Sequence, residues 1–209
     1  GSELVSLLRE RSSQVVAMVR GSSVVWRNLG TNHSEVSGDL TDSHIFEKMM
    51  AALKSNIPTF HALVNVAGGF SLDGPVDGLA AEAWTRMWDL NFKTCLLPCQ
   101  AALPIFKAQG FGRIINFGSQ AGELGKAGAA PYAVSKAAVH SLTRTLAVEG
   151  GGVVTANLII PSVIDTPANR EAMPEADFSR WTTPKAIAEK VAVILDETER
   201  PPNGESFPL

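Results

Sequence analysis

RIINFGSQAGELGKAGAAPYAVSKAAVHSLTRTLAVEGGGVVTANLIIP, residues 113–161, decides the fold. Arg113 to Phe117 is a short apolar run and reads as a strand. Ala130 to Val148 is rich in alanine and reads as a helix. Val153 to Ile160 is a second strand, stopped by Pro161, which cannot donate to a ladder. A strand, a helix and a strand in this order form a crossover unit, which places two parallel strands side by side with the helix on one face. Strands this uniformly apolar fit burial on both faces.

The same alternation extends outward. Before it lie a short buried strand at Ala62–Val66, ending at Ala67-Gly68-Gly69, and a helical stretch from Leu79 to Phe106. Pro98 and Pro104 are expected to bend or break that helix. Ser43 to Lys54 places Ile45, Phe46, Met49, Met50 and Leu53 at helical spacing. Gln14 to Val19 is a β-branched strand, and Leu4, Val5, Leu7 and Leu8 suggest the end of a helix. Thr183-Pro184 caps and opens a helix reaching about Asp196. Glu205 to Leu209 begins a last strand. The fold class expected is α/β, a doubly wound, mostly parallel sheet, with residues 1–209 forming one domain. Ligands of such sheets sit beyond the carboxyl ends of the strands.

Composition narrows the function. Apolar residues make up 45% and charged residues 19% of the 209, which argues against disorder and for a well-buried core. A net charge of −3 with no basic block argues against nucleic acid as a partner. No apolar run reaches the ~18 residues of a membrane span, and no charged-then-apolar leader opens the chain. The two cysteines, Cys95 and Cys99, share a helix face and read as core fillers, so a reducing, cytoplasmic setting is expected. His33, His44, His61 and His140 show no metal-ligand spacing, so no metal is expected. The four tryptophans read as packing residues.

Polar residues gather where strands end. Asn65-Val-Ala-Gly68 closes one strand, Ser119 follows another, Tyr132-Ala-Val-Ser-Lys136 opens a helix, and Pro161-Ser-Val-Ile-Asp-Thr166 follows a third strand. Tyr132 and Lys136 stand at i and i+4 and share a helix face. An ammonium near a phenol lowers its pKa from about 10 and suits it to proton transfer near neutrality. Tyr132 is the only tyrosine in the chain. Each feature also has a plainer reading. Asn65-x-Ala-Gly suits a turn, Ser119 a helix cap, Asn91 a solvent-facing helix position, Asp39 a cap, and Ser162 and Thr166 turn positions.

Together these motifs resemble the short-chain dehydrogenase/reductase family over nearly the whole chain. The resemblance implies a Rossmann-like fold and hydride transfer between a nicotinamide cofactor and a carbonyl or alcohol substrate. It implies that Tyr132 is the general acid or base, that Lys136 tunes it and holds the nicotinamide ribose, that Ser119 orients the substrate oxygen, and that Asn91 supports a proton relay. Asn65, Ala67 and Gly68 would line the adenosine side of the groove. Asp39 and Leu40 would meet adenine, and Pro161, Ile164 and Thr166 the nicotinamide carboxamide. Trp181 and Met173 lie in the stretch that closes over substrate in this family. Homodimers or homotetramers through the helices at 79–106 and 130–148 are implied too. Arg20 closes the strand where an acid would select NAD, so NADP is expected ahead of NAD.

Departures sharpen this reading. The phosphate-cradling TGxxxGxG loop and the first central strand of the family are not among these residues, which open at Gly1-Ser2-Glu3-Leu4 as though Gly1 were the loop's last glycine. Missing an inner strand, the sheet is expected to carry two unpaired edges. Ser162 stands where the family usually has glycine. The segment from Asp165 to Trp181 is similar to quinonoid dihydropteridine reductases, but Ser119 departs from them and points to an ordinary carbonyl. The alternatives are a dihydropteridine-reductase-like enzyme, a noncatalytic dinucleotide-binding relative and an assembly module. The presence of Asn91, Ser119, Tyr132 and Lys136 together speaks against the noncatalytic relative.

Overall fold

The computed structural model describes residues 1–11, 13–57 and 59–209. The strand–helix–strand unit at its centre consists of β5 (Gly112–Phe117), α6 (Ala130–Glu149) and β6 (Val154–Ile160). β5 and β6 pair in parallel and every residue of both is buried. β4 (Ala62–Asn65) and β7 (Ser206–Pro208) complete a four-stranded parallel sheet in the order β4-β5-β6-β7.

Side chains alternate across this sheet, as the two-residue strand period requires. Ile114, Val154, Ala156, Leu158 and Ile160 pack against α6 and α4 (Thr94–Gln109). Ile115, Phe117 and Ile159 face the other way, onto Leu4 of α1 (Ser2–Glu10) and Ile187, Val191 and Ile194 of α8 (Pro184–Asp196). Helices therefore cover both faces. Thr183 caps α8 as expected, its hydroxyl accepting from the Ala186 N–H at 3.1 Å.

A second sheet has the order β1-β3-β2, from β1 (Val15–Arg20), β2 (Val25–Asn28) and β3 (His33–Gly38). The sequence reading anticipated β1 but neither of the others. β3 carries Ser34 and Ser37 where an apolar run is sought, yet both serines are buried. β2 runs antiparallel to β3 and is largely exposed, so its side chains show no core pattern. The turn between them uses Gly30 at φ 113° and Asn32 at φ 61°, the residue types that tolerate left-handed backbone.

β1 and β4 each end their sheet, so each leaves one side unpaired. Their burial records it: β1 has no buried residue and β4 has only Asn65, against complete burial of β5 and β6. The expected pair of open edges is thus present, and the expected single parallel sheet is two sheets, one with an antiparallel strand. They share a core through α2 (Ser43–Asn56), whose Phe46, Met50 and Leu53 pack with Met18 and Trp26 on one side and Leu97, Ala101 and Ile105 of α4 on the other. Asp42 caps α2 by accepting from the His44 and Ile45 N–H groups.

The helical stretch at 79–106 breaks, but not at its prolines. α3 (Ala81–Met87) passes through a π-helical turn, Trp88–Lys93, into α4, which carries Pro98 and Pro104 inside it. A π-turn widens the ladder by one residue and frees a side chain to leave the helix surface. Here that side chain is Asn91.

Candidate active site

α6 presents Tyr132, Lys136 and His140 at four-residue intervals, so one face of the helix carries all three. Lys136 is 6% exposed, and its Nζ donates to the Phe117 carbonyl at the end of β5 at 2.9 Å. An ammonium has three donors, and this is its one protein acceptor among the described residues. Burial lowers its pKa from 10.5 to about 8, with the Cys95 thiol acting weakly the other way.

The π-turn delivers Asn91 to the same place. Asn91 is 1% exposed, and its Oδ1 accepts from the Gly69 N–H at 2.9 Å. Gly68 lies between the two side chains. A Cβ there would stand 2.7 Å from Asn91 Oδ1 and 3.4 Å from Lys136 Nζ, so only bare backbone fits. The loop after β4, the π-turn and α6 therefore converge on one point.

Ser119 follows β5 and precedes α5 (Ala121–Leu124). Its Oγ accepts from the Ala121 N–H at 3.2 Å and its carbonyl from the Gly122 N–H at 2.9 Å, a turn that leads into α5, whose N-cap is Gln120 and not Ser119. Oγ accepts there and keeps its own proton free to donate elsewhere. Burial pushes the phenol above its ordinary pKa, and the Ser119 hydroxyl partly opposes the rise. This corrects the expectation that Lys136 holds the phenol acidic: the ammonium is turned to a backbone carbonyl and burial dominates the phenol. Phe70 packs edge-on against the Tyr132 ring, centroids 4.9 Å apart.

Other expected site residues are engaged differently. Asn65 turns inward: its Nδ2 donates to Asn116 Oδ1 at 2.8 Å and lies 3.3 Å from Cys99 Sγ, so its side chain serves the core and not a groove. Asn116 continues the chain to Thr143 Oγ1 at 2.9 Å. Cys95 and Cys99 are buried and free, packed as core residues. Thr166 caps α7 (Pro167–Ala172) by accepting from the Asn169 N–H, and the Ile164 carbonyl accepts from Asn169 Nδ2 while its side chain joins the α1–α8 core. Ser162 replaces the usual glycine with a hydroxyl 2.6 Å from Thr182 Oγ1. Pro161 ends β6, Ala67 is exposed, and Leu40 packs with Phe46 and Met50.

Asp39 is exposed beyond β3. Hydrogen bonds from the Thr41 hydroxyl and N–H hold its carboxyl below the usual range, and the charge of Arg20 adds to this. Arg20, exposed at the end of β1, is paired in register with Gly38. Gly1 precedes α1 and supplies its first carbonyl to the Val5 N–H. Sequence reasoning passed over His140, Asn116 and Phe70. The first was legible as the third residue on the Tyr132–Lys136 face.

The sequence profile of the short chain dehydrogenase family matches residues 1–177. The chain is a short-chain dehydrogenase. Among its relatives, 3-oxoacyl-(acyl-carrier-protein) reductase FabG of Vibrio cholerae is 27% identical, covering 99% of this chain and 89% of the relative. Galactitol 2-dehydrogenase of Agrobacterium fabrum is 32% identical over 79% of this chain and 64% of its own length. A solved structure of an ElxO variant with NADPH bound superposes with a TM-score of 0.86, covering 100% of this chain and 91% of that one at 18% identity. This short-chain dehydrogenase is thus an oxidoreductase with a Rossmann fold, of a family that works with nicotinamide cofactors. Its buried ammonium with donors to spare, next to a glycine that admits no side chain, fits the ribose end of such a cofactor.

Proposed function

We propose that this enzyme is an NADP-dependent carbonyl reductase, or alcohol dehydrogenase in reverse, with Tyr132 exchanging a proton with the substrate oxygen. The observation that carries this is the buried Lys136 ammonium one helical turn from Tyr132, converging with Asn91 on the bare Gly68 backbone. Ser119 offers its proton to a carbonyl oxygen and orients it. Tyr132, its pKa raised by burial, is protonated at neutral pH and so stands ready as the donor to an alkoxide. Reduction is therefore the direction favoured near pH 7, and alcohol oxidation, which needs the phenolate, rises with pH. Lys136 and the Gly68 backbone hold the ribose, and Asn91 keeps the Gly68-Gly69 loop in place. The cofactor, when bound, supplies the hydride.

Arg20 supports NADP, because its exposed guanidinium ends β1 at the position where an acid would select NAD and a basic group meets a 2′-phosphate. The substrate is a small carbonyl or alcohol. Free, buried cysteines suit a cytoplasmic setting. Val134 and Val148, exposed on α6, and Trp88, exposed on the π-turn, support assembly as a homodimer or homotetramer. The test is NADPH and NADH oxidation with a panel holding a 3-oxoacyl thioester, a polyol-derived ketone and quinonoid dihydropterin. Preference for NADPH that Arg20→Ala abolishes supports the reading; preference for NADH, or no oxidation with any member, overturns it.

A further inference from the structure

His140 is an ionisable group beside the site that the reaction outlined above does not use. It sits on α6 one turn beyond Lys136 and is 3% exposed. Its Nε2 accepts a hydrogen bond from the Ser119 backbone N–H at 3.1 Å. An imidazole nitrogen that accepts carries no proton, so the ring is neutral with its hydrogen on Nδ1. Nδ1 lies 3.8 Å from Glu123 Oε1 of α5. The fit is close: a Cβ on Gly118 would stand 2.3 Å from Nε2, so the backbone that carries Ser119 rests directly on the ring.

We propose that His140 is a positioning residue that holds Ser119 in register with Tyr132, and that acid silences the enzyme by protonating this imidazole. The proposal rests on the reading of Ser119 as the residue that orients substrate. An imidazolium would aim its Nε2–H at the Ser119 N–H, two donors facing each other across a contact with no room to rearrange. The serine backbone must then move, and the hydroxyl with it. The charges that act on the ring are Glu123, which favours imidazolium, and Arg144 and Lys136 of α6 itself, which oppose it. β6 carries no ionisable residue, and Arg113 of β5 reaches the Glu197 carbonyl instead. Burial is the largest influence and keeps the ring neutral to a lower pH than a free histidine. The hydrogen bond is therefore intact at neutral pH and is lost only in acid, below the range in which a free histidine takes up its proton.

Three variants test this, each assayed for NADPH oxidation with the panel carbonyl that wild type reduces fastest. His140→Gln places a non-titrating amide oxygen near the Nε2 position. It retains kcat at neutral pH and loses the acid limb of the kcat profile. His140→Leu offers no acceptor and lowers kcat by about 10- to 100-fold, the scale of a small misplacement, with the Kd for NADPH unchanged. Glu123→Gln removes the charge that favours imidazolium and moves the acid limb to lower pH. An acid limb that survives in His140→Gln, or wild-type kcat in His140→Leu, overturns the proposal. Ser119→Ala separates the two readings: if it leaves turnover intact, the role of Ser119 fails and the proposal with it, whereas a loss in Ser119→Ala with none in His140→Leu removes only the role of His140. Nitrogen-15 shifts of His140 give a readout without turnover. The Nδ1–H tautomer at neutral pH supports the proposal, and an Nε2–H tautomer overturns it.

Discussion

Replacing Lys136 with methionine should make this enzyme more stable while disabling it. The ammonium is charged in the unfolded chain up to pH 10.5, but burial lowers its folded pKa to about 8. At pH 7 the fold therefore carries a charge it disfavours, and a shift of this size corresponds to about 3 kcal/mol at 1.36 kcal/mol per unit. Methionine fills the same volume without charge. It also forfeits the hydrogen bond to the Phe117 carbonyl, which from a charged donor contributes about 1.5–3 kcal/mol. A net gain of up to about 2 kcal/mol at pH 7 remains, or up to about 8 °C in Tm for a chain of this size. The sign across pH follows from linkage. Between pH 8 and 10.5 the unfolded chain binds more protons at this residue than the folded one, so wild-type stability rises with pH there through this group. The methionine variant lacks that rise, and its advantage shrinks towards pH 10. Urea unfolding followed by circular dichroism at pH 7 and pH 9.5 measures both effects. A variant less stable than wild type at pH 7 would refute the claim that this lysine is held at a cost to the fold.

Three further outcomes are expected. Tyr132→Phe keeps the fold, because the ring packs on Phe70 without its hydroxyl, and lowers kcat by about 10²–10⁴-fold; NADPH oxidation checks it. Gly68→Ala drives a Cβ into the buried Asn91 Oδ1 and towards Lys136 Nζ, so kcat and cofactor affinity fall and the urea midpoint falls with them; steady-state kinetics, isothermal calorimetry with NADPH and urea unfolding read the three. Asn116→Ala leaves Asn65 Nδ2 without its oxygen partner in the core and opens a small cavity, a loss of about 1–3 kcal/mol read from the urea midpoint.

Which parts of the molecule were legible in the sequence follows from where the apolar side chains lie. β5, β6, α2 and α8 announce themselves because each buries a regular face: β5 and β6 as uninterrupted runs, α2 through Phe46, Met49, Met50 and Leu53, and α8 through its Thr183 cap. β3 escaped because its buried positions include serines, and β2 because an exposed edge strand needs no apolar side. α7 escaped although Thr166-Pro167 repeats the cap-and-proline signal of Thr183-Pro184 that revealed α8. The prolines of α4 misled in the opposite way. Pro98 and Pro104 forfeit backbone bonds inside a helix that packs with Cys99, Ala102 and Phe106 buried, whereas the break comes at Asn91.

The chemistry divides along the same line. By itself the sequence determined that Tyr132, Lys136 and His140 share a face, because helical periodicity is a property of the chain, and it determined that Ser119 and Asn65-Val-Ala-Gly68 follow strands. It also determined Arg20 at the end of β1, and with it the lean towards a phosphorylated cofactor. Only the tertiary structure decided what each polar group faces. Asn65 turned to Asn116, Lys136 to the Phe117 carbonyl, and His140 to the Ser119 N–H. Those partners come from other strands and helices, up to 51 residues away in the chain. Local propensity places a side chain on a face, but which donor or acceptor it meets there, and how far burial moves its charge, depends on the packing of distant segments.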